Sequence, residues 1–273
     1  MPKEERKEEI ESETKFVWKL LYHIILTPLT IFMVLFKKKR AGDILRPFKD
    51  VLDFIVEPRF TITIILINTL IFLLSLFFSQ GFFDSLVSFP SDILSGRFYT
   101  IFTAAFLHAD ISHLGFNMLA LFLFGRVVER KLGKAKTAII YFGALLTSGI
   151  FSSIINIMIT KNNLGGVGAS GAIMGLIAAA ILIDPFYFTY ELLLPMPVMV
   201  AGWLAILSDI TGLITRASDG IGHLDHLGGF LSMTLLVFFL SGDDKHKMKK
   251  GLLINIISLI IFIFVYIFFL TGY

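Results

Sequence analysis

Seven long, mostly apolar stretches recur along this chain, at 59–79, 99–124, 138–159, 168–184, 191–213, 223–241 and 251–271. A helix needs about 20 such residues to cross the hydrocarbon core of a bilayer. In lipid only helices and closed barrels satisfy their own backbone groups. The expected fold class is therefore an all-α polytopic membrane protein. Composition agrees: 56% of the 273 residues are hydrophobic and 16% are charged, where soluble domains carry roughly 25% charge. The chain has no cysteine, which excludes disulfides, thiol catalysis and thiolate-held metal.

An eighth apolar stretch, 17–36, carries Lys19, His23 and Pro28 and runs into Lys37-Lys38-Lys39-Arg40. It reads as an interfacial anchoring helix, with a membrane span as the alternative. The first 16 residues are charged, of mixed sign, and lack the pattern of a secretory signal.

Orientation follows from lysine and arginine. The segment 37–49 holds Lys37, Lys38, Lys39, Arg40, Arg46 and Lys49. The loop 125–136 holds Arg126, Arg130, Lys131, Lys134 and Lys136, and the loop 242–250 holds Lys245, Lys247, Lys249 and Lys250. The intervening loops 80–98, 160–167 and 214–221 hold only Arg97, Lys161 and Arg216. Basic loops stay on the cytoplasmic side. The pI of about 9.0 thus marks sidedness, and the expected partner is the lipid bilayer and not nucleic acid.

This topology gives meaning to two polar sites. Ser170 opens the fourth stretch within Gly168-Ala169-Ser170-Gly171, and His226 opens the sixth within Gly222-His223-Leu224-Asp225-His226. Both stretches run from outside to inside, so both residues lie near the outer face. Ionisable groups in membrane helices are costly and by default functional, and serine with histidine is the minimum pair for nucleophilic acyl chemistry. Gly171, Gly175 and Ala179 form one small-residue row, and Gly228 and Ser232 another. Such rows let helices approach closely in lipid. If the two rows face each other, Ser170 meets His226 at the top of the contact.

A third polar site opens the second stretch. His113 and Asn117 are four apart and share a helix face, where His and Asn donors can stabilise an oxyanion beside the backbone N–H of Ser170. His108 lies off that face and is read as tying down the loop above. Asp225 precedes His226 directly and points about 100° away on a helix, so capping suits it better than a triad. His223 is a rival base, and Gly228-Gly229 behind His226 favours His226. Asp209, inside the fifth stretch, is an intramembrane carboxylate for which the sequence suggests no partner. Neither a cofactor nor a metal is expected: zinc takes imidazole, but no His-Glu-x-x-His is present.

At these residues the chain resembles the rhomboid intramembrane serine proteases. His108, then His113 five on, then Asn117 four on, is similar to the pattern of that family's second helix. Gly168-Ala169-Ser170-Gly171 with Gly175 is similar to the GxSGxxxG of its fourth. His226-Leu227-Gly228-Gly229 is similar to the opening of its sixth. The resemblance covers about 59–241. It implies a six-helix core with Ser170 as nucleophile, His226 as general base and no acid. It also implies an oxyanion hole from His113, Asn117 and the Ser170 backbone, with His108 bracing the structure. The implied substrate is the transmembrane helix of another protein, cut near its outer end.

Two departures stand out. Family members often carry Trp-Arg before the second helix, where this chain has Tyr99-Thr100. The best-known members have a tyrosine four after the serine, where this chain has Met174.

The expected organisation is a 1–58 cytoplasmic or interfacial region with the segment 17–36, a 59–241 rhomboid-like catalytic core, and 242–273 as a basic loop with a seventh transmembrane helix. The expected location is the cell membrane, multi-pass, with the site opening outward. The alternative function is a non-catalytic rhomboid-like protein that binds transmembrane helices of clients. A transporter is disfavoured by the lack of inverted repeats.

Overall fold

The computed structural model describes residues 22–23, 25–36, 38, 40–189, 196–215 and 220–271. The expectations for the first 16 residues, for Lys19, Lys37 and Lys39, and for Arg216 lie outside them. By internal contacts the chain divides into residues 1–59 and 60–273.

In the first unit, α1 (Thr27–Leu35) and α2 (Arg46–Val56) each carry proline in the first turn, where its missing N–H costs nothing. Between them lies a tight 3-10 turn, Ala41–Leu45. Phe48, Leu52 and Val56 are spaced by four on α2 and exposed, the pattern of a helix lying in a membrane interface.

The second unit is built from α3 (Arg59–Ser75), the short α4 (Gln80–Leu86) and α5 (Tyr99–Ala104), then α6 (Ile111–Leu132), α7 (Lys134–Thr160), α8 (Ser170–Ile183), α9 (Val198–Thr215), α10 (His223–Phe239) and α11 (Gly242–Thr271). Strands are confined, among the described residues, to an antiparallel pair, Phe188–Thr189 with Met196–Pro197. Helices α6, α7, α9 and residues Gly242–Val265 of α11 are long and apolar enough to cross a membrane, and α3, α8 and α10 are shorter apolar helices.

Polar side chains within these helices bond to carbonyls of their own helix. Asn68 donates to Ile64 O at 2.9 Å, Thr69 to Ile65 O at 2.9 Å and Thr147 to Gly143 O at 2.7 Å. Back-bonding of this kind satisfies a hydroxyl or amide where no water is present.

Two boundaries differ from the expectations. The second stretch does not run unbroken over 99–124. It divides into α5, a loop through His108, and α6, which Asp110 starts by accepting from the His113 N–H at 2.8 Å. Side-chain N-capping by aspartate is a strong start signal. The basic stretches 125–136 and 242–250 are mostly helix and not loops. Helix α6 continues to Leu132, and Gly133, at φ +82°, is the single break before α7. Ser241 accepts from the Asp244 N–H at 3.2 Å and starts α11. Hydropathy reports affinity for lipid, whereas Lys, Arg and Glu are good helix formers.

Helix α8 is central. Every residue from Gly171 to Ile181 is buried, as expected of a helix apolar on all sides. It packs on α7, α9, α10 and α11. Its C-terminal end is fastened by chemistry specific to that point. Pro185 has no N–H to give the Ile181 carbonyl, and the Asn255 side chain of α11 donates to that carbonyl instead, at 2.7 Å. Asn255 also accepts from the Trp203 indole of α9 at 2.9 Å. Next to this, Lys131 pairs with Asp184 at 2.8 Å. Two residues before Lys131, Glu129 caps α3, accepting from Phe60 N at 2.8 Å and from Thr61 N and Oγ1 at 2.9 Å.

Candidate active site

Ser170 is the first residue of α8 and is half-buried. A 14-residue helix rises about 21 Å, less than the roughly 30 Å hydrocarbon core. One or both of its ends therefore stop inside the membrane. The end bearing Asp184 is tied to the basic residues of α6, so Ser170 marks the end away from them.

The approach of α8 to α10 is set by glycine. A Cβ on Gly229 would stand 2.0 Å from the Gly171 carbonyl oxygen, a separation no side chain permits. A Cβ on Gly171 would stand 3.6 Å from the Asp225 carbonyl, and one on Gly175 3.4 Å from the Gly229 carbonyl. Four residues along α8 correspond to four along α10, so the helices run parallel and Ser170 shares a level with the start of α10 and His226. The Gly171–Gly175 row differs from the expectation: it points first at α7, where a Cβ on Gly175 would stand 2.2 Å from Ala144 Cβ and one on Gly171 would meet Ser148, and it touches α10 only at its edge. Its counterpart differs: Gly229 meets the Gly171 carbonyl, whereas Gly228 faces α7, where a Cβ would stand 2.9 Å from Phe151. The spacing to Ser232 pointed to Gly228; the backbone contact is made one residue later. Among the described residues no hydrogen bond joins Ser170 Oγ to His226, and such bonds often tighten only with substrate present.

His113 lies against the turn that leads into Ser170. Gly168 has φ +118°, and a Cβ there would stand 2.7 Å from His113 Nε2. A side chain at 168 is thus excluded twice, by backbone strain and by the ring. The Gly168 N–H donates to Ala104 O at 2.8 Å, which ties this turn to the end of α5. His113 Nδ1 faces the Ala109 N–H at a long 3.5 Å. With Nδ1 accepting, the proton sits on Nε2, on the side of Gly168. Asn117 is buried and donates one amide hydrogen to His113 O at 2.9 Å, which leaves the second for another acceptor. His108 is buried 5.1 Å from the His113 ring, edge-on, and Met174 is buried on α8.

Asp209 has two partners. Its Oδ1 lies 2.8 Å from His226 Nδ1 and 2.8 Å from His223 Nδ1. The absence of an acid beside His226, which the family resemblance implied, does not hold for this chain. Asp225, as anticipated, is not the acid: it accepts from Ser152 of α7 at 2.5 Å. The sequence marks Asp209 as an intramembrane carboxylate but does not show its partners. The available signal was a pair of matched spacings, Asp209 with Gly212 on one helix and His223 with His226 on the next, each three apart.

Asp209, His223 and His226 each offer one ligand atom, all within 4.8 Å of one another. Two ligands of a tetrahedral zinc at about 2.0–2.1 Å would stand roughly 3.3 Å apart. The 2.8 Å contacts are the length of charge-assisted hydrogen bonds, so the geometry suits protons better than a metal.

The Rhomboid domain family model matches residues 95–243. Curated relatives include a chloroplastic rhomboid-like protein of Arabidopsis thaliana, 30% identical over 68% of this chain and 67% of its own length. A mitochondrial rhomboid-like protein of the same plant is 27% identical over 67% of this chain and 59% of its own length. The rhomboid protease AarA of Providencia stuartii is 33% identical over 45% of this chain and half of its own length.

Proposed function

This chain belongs to the rhomboid family and is an integral membrane protein. On that premise we propose that it is an intramembrane serine endopeptidase. The observation that carries the reading is the parallel contact of α8 with α10, where the Gly171 carbonyl packs on Gly229 and Ser170 comes level with His226. A serine hydroxyl is a weak nucleophile until a base removes its proton. In this reading Ser170 Oγ attacks the scissile carbonyl carbon while His226 Nε2 takes the proton. The oxyanion is held by the Ser170 N–H at the start of α8, by His113 and by Asn117. Collapse breaks the C–N bond, His226 returns the proton to the leaving amine, and water hydrolyses the acyl-enzyme by the same route.

The substrate in this reading is a transmembrane segment of another protein, which the position of Ser170 at the end of a short apolar helix supports. Basic residues at the opposite end of α8 support a site opening toward the outer face of a cell membrane.

The test is covalent labelling of purified protein in liposomes with a fluorophosphonate, comparing wild type, Ser170→Ala and His226→Ala, each checked by thermal melt. Labelling confined to wild type is the expected result. A folded wild type that labels no better than Ser170→Ala would instead point to non-catalytic binding of client helices.

A further inference from the structure

We propose that Asp209 and His223 are positioning residues for His226, so that the reaction runs on a serine–histidine pair held by an acid from the fifth apolar helix. The inference rests on the protease reading above.

The argument begins with cost. A carboxylate inside a membrane helix is expensive unless paired, and Asp209 is 7% exposed on α9. Both imidazoles of α10 meet the same oxygen of it, at 2.8 Å each. An ionised carboxylate only accepts, so both Nδ1 atoms carry the hydrogen. For His226 this leaves the lone pair on Nε2, the tautomer that a general base for Ser170 requires. An aspartate that fixes the tautomer and orientation of a histidine, and then stands beside the imidazolium formed on attack, is how a triad acid acts.

His223 does not face Ser170 in this scheme. It makes the second bond to Asp209 Oδ1 and thereby fixes the direction of the carboxylate. The backbone is shaped for it: a Cβ on Gly212 would stand 2.2 Å from His223 Nε2, so the His223 ring lies over a bare Cα one turn along from Asp209. A carboxylate that merely joined α9 to α10 would need one such bond. Two bonds to a single oxygen hold the carboxylate in one direction.

Asp209→Asn, Asp209→Glu and His223→Gln are compared with wild type in lipid. Nitrogen-15 spectra of the histidine side chains report the His226 tautomer without any need for activity. Cleavage of a transmembrane reporter peptide gives kcat and KM, and melts check folding. The expected result for Asp209→Asn is loss of the fixed Nδ1–H form of His226, with kcat lower by at least about 100-fold and KM within about twofold; the comparable change in a soluble triad costs about 10⁴. Asp209→Glu, which keeps an acceptor-only carboxylate where Asn also offers a donor, should keep the tautomer and recover part of kcat, and it serves if the Asn variant does not fold. His223→Gln should keep the tautomer and lower kcat less.

An unchanged His226 tautomer in Asp209→Asn overturns the inference, as does a changed tautomer with wild-type kcat. A wild type that shows the fixed tautomer but neither labels nor cleaves sinks the protease reading, and with it the role of Asp209 in a reaction.

Discussion

The carbonyl of Gly171 and the Cα of Gly229 are in direct contact, with space for hydrogen and nothing larger between the helix that starts at Ser170 and the helix that bears His226. Because the obstructing atom is backbone, no rotamer change relieves an added methyl. Gly229→Ala should therefore separate the helices, lower stability by about 1–3 kcal/mol as overpacking does, and slow serine labelling at least tenfold. Gly228→Ala meets the Phe151 side chain, though also Ser148 Cα at 3.1 Å, and should be milder. Equal labelling rates for the two variants would contradict this packing.

Gly168 holds the turn against the His113 ring. Gly168→Ala should displace His113 and add the roughly 1–2 kcal/mol cost of a left-handed non-glycine residue. Loss of one oxyanion donor lowers kcat by about 10²–10³, and that is the size of effect expected, with substrate binding little changed. The check is kcat and KM on a reporter peptide alongside His113→Ala. An additive double variant would show that Gly168 does not act through His113.

The contacts around Asp209 have hydrogen-bond lengths, not the spacing of ligands about an ion. Overnight dialysis against a strong chelator should leave the labelling rate and melting temperature of wild type unchanged. A fall in either, restored by added zinc, would assign the cluster to a metal.

Asn255 supplies the donor that Pro185 cannot. Asn255→Leu should leave the buried Ile181 carbonyl without its partner, at about 1–3 kcal/mol, and the half-buried Trp203 indole without its acceptor. The melting temperature should fall, while labelling well below the melt stays near wild type, because the contact lies at the far end of α8 from Ser170. A selective loss of labelling in a stable variant would argue against a purely structural role.

Much of the site was legible because membrane helices punish polarity. Ser170, His226, His113 and Asn117 stand out against their apolar surroundings, and the spacing of Gly171 and Gly175 shows which face of the fourth helix is narrow. Asp209 stood out equally, but its partners lie 14 and 17 residues away on another helix, and no local periodicity links two helices. Spacing likewise could not choose between Gly228 and Gly229, which are adjacent and both lack a side chain; the choice depends on the rotation of α10 about its axis. The helical character of 126–132 and 242–250 was hidden because charge, which argues against lipid, does not argue against a helix.

The cap on Ile181 also sets an order of events during synthesis. Its donor lies 74 residues downstream, so a nascent chain carries the helix of Ser170 long before it carries Asn255. Until that late segment arrives, the end of the helix holds a carbonyl with no hydrogen to accept. Fastening of this central helix therefore waits on α11, and a chain cut after residue 250 would carry Ser170, His226, His113 and Asn117 with the Ile181 end of that helix unfastened.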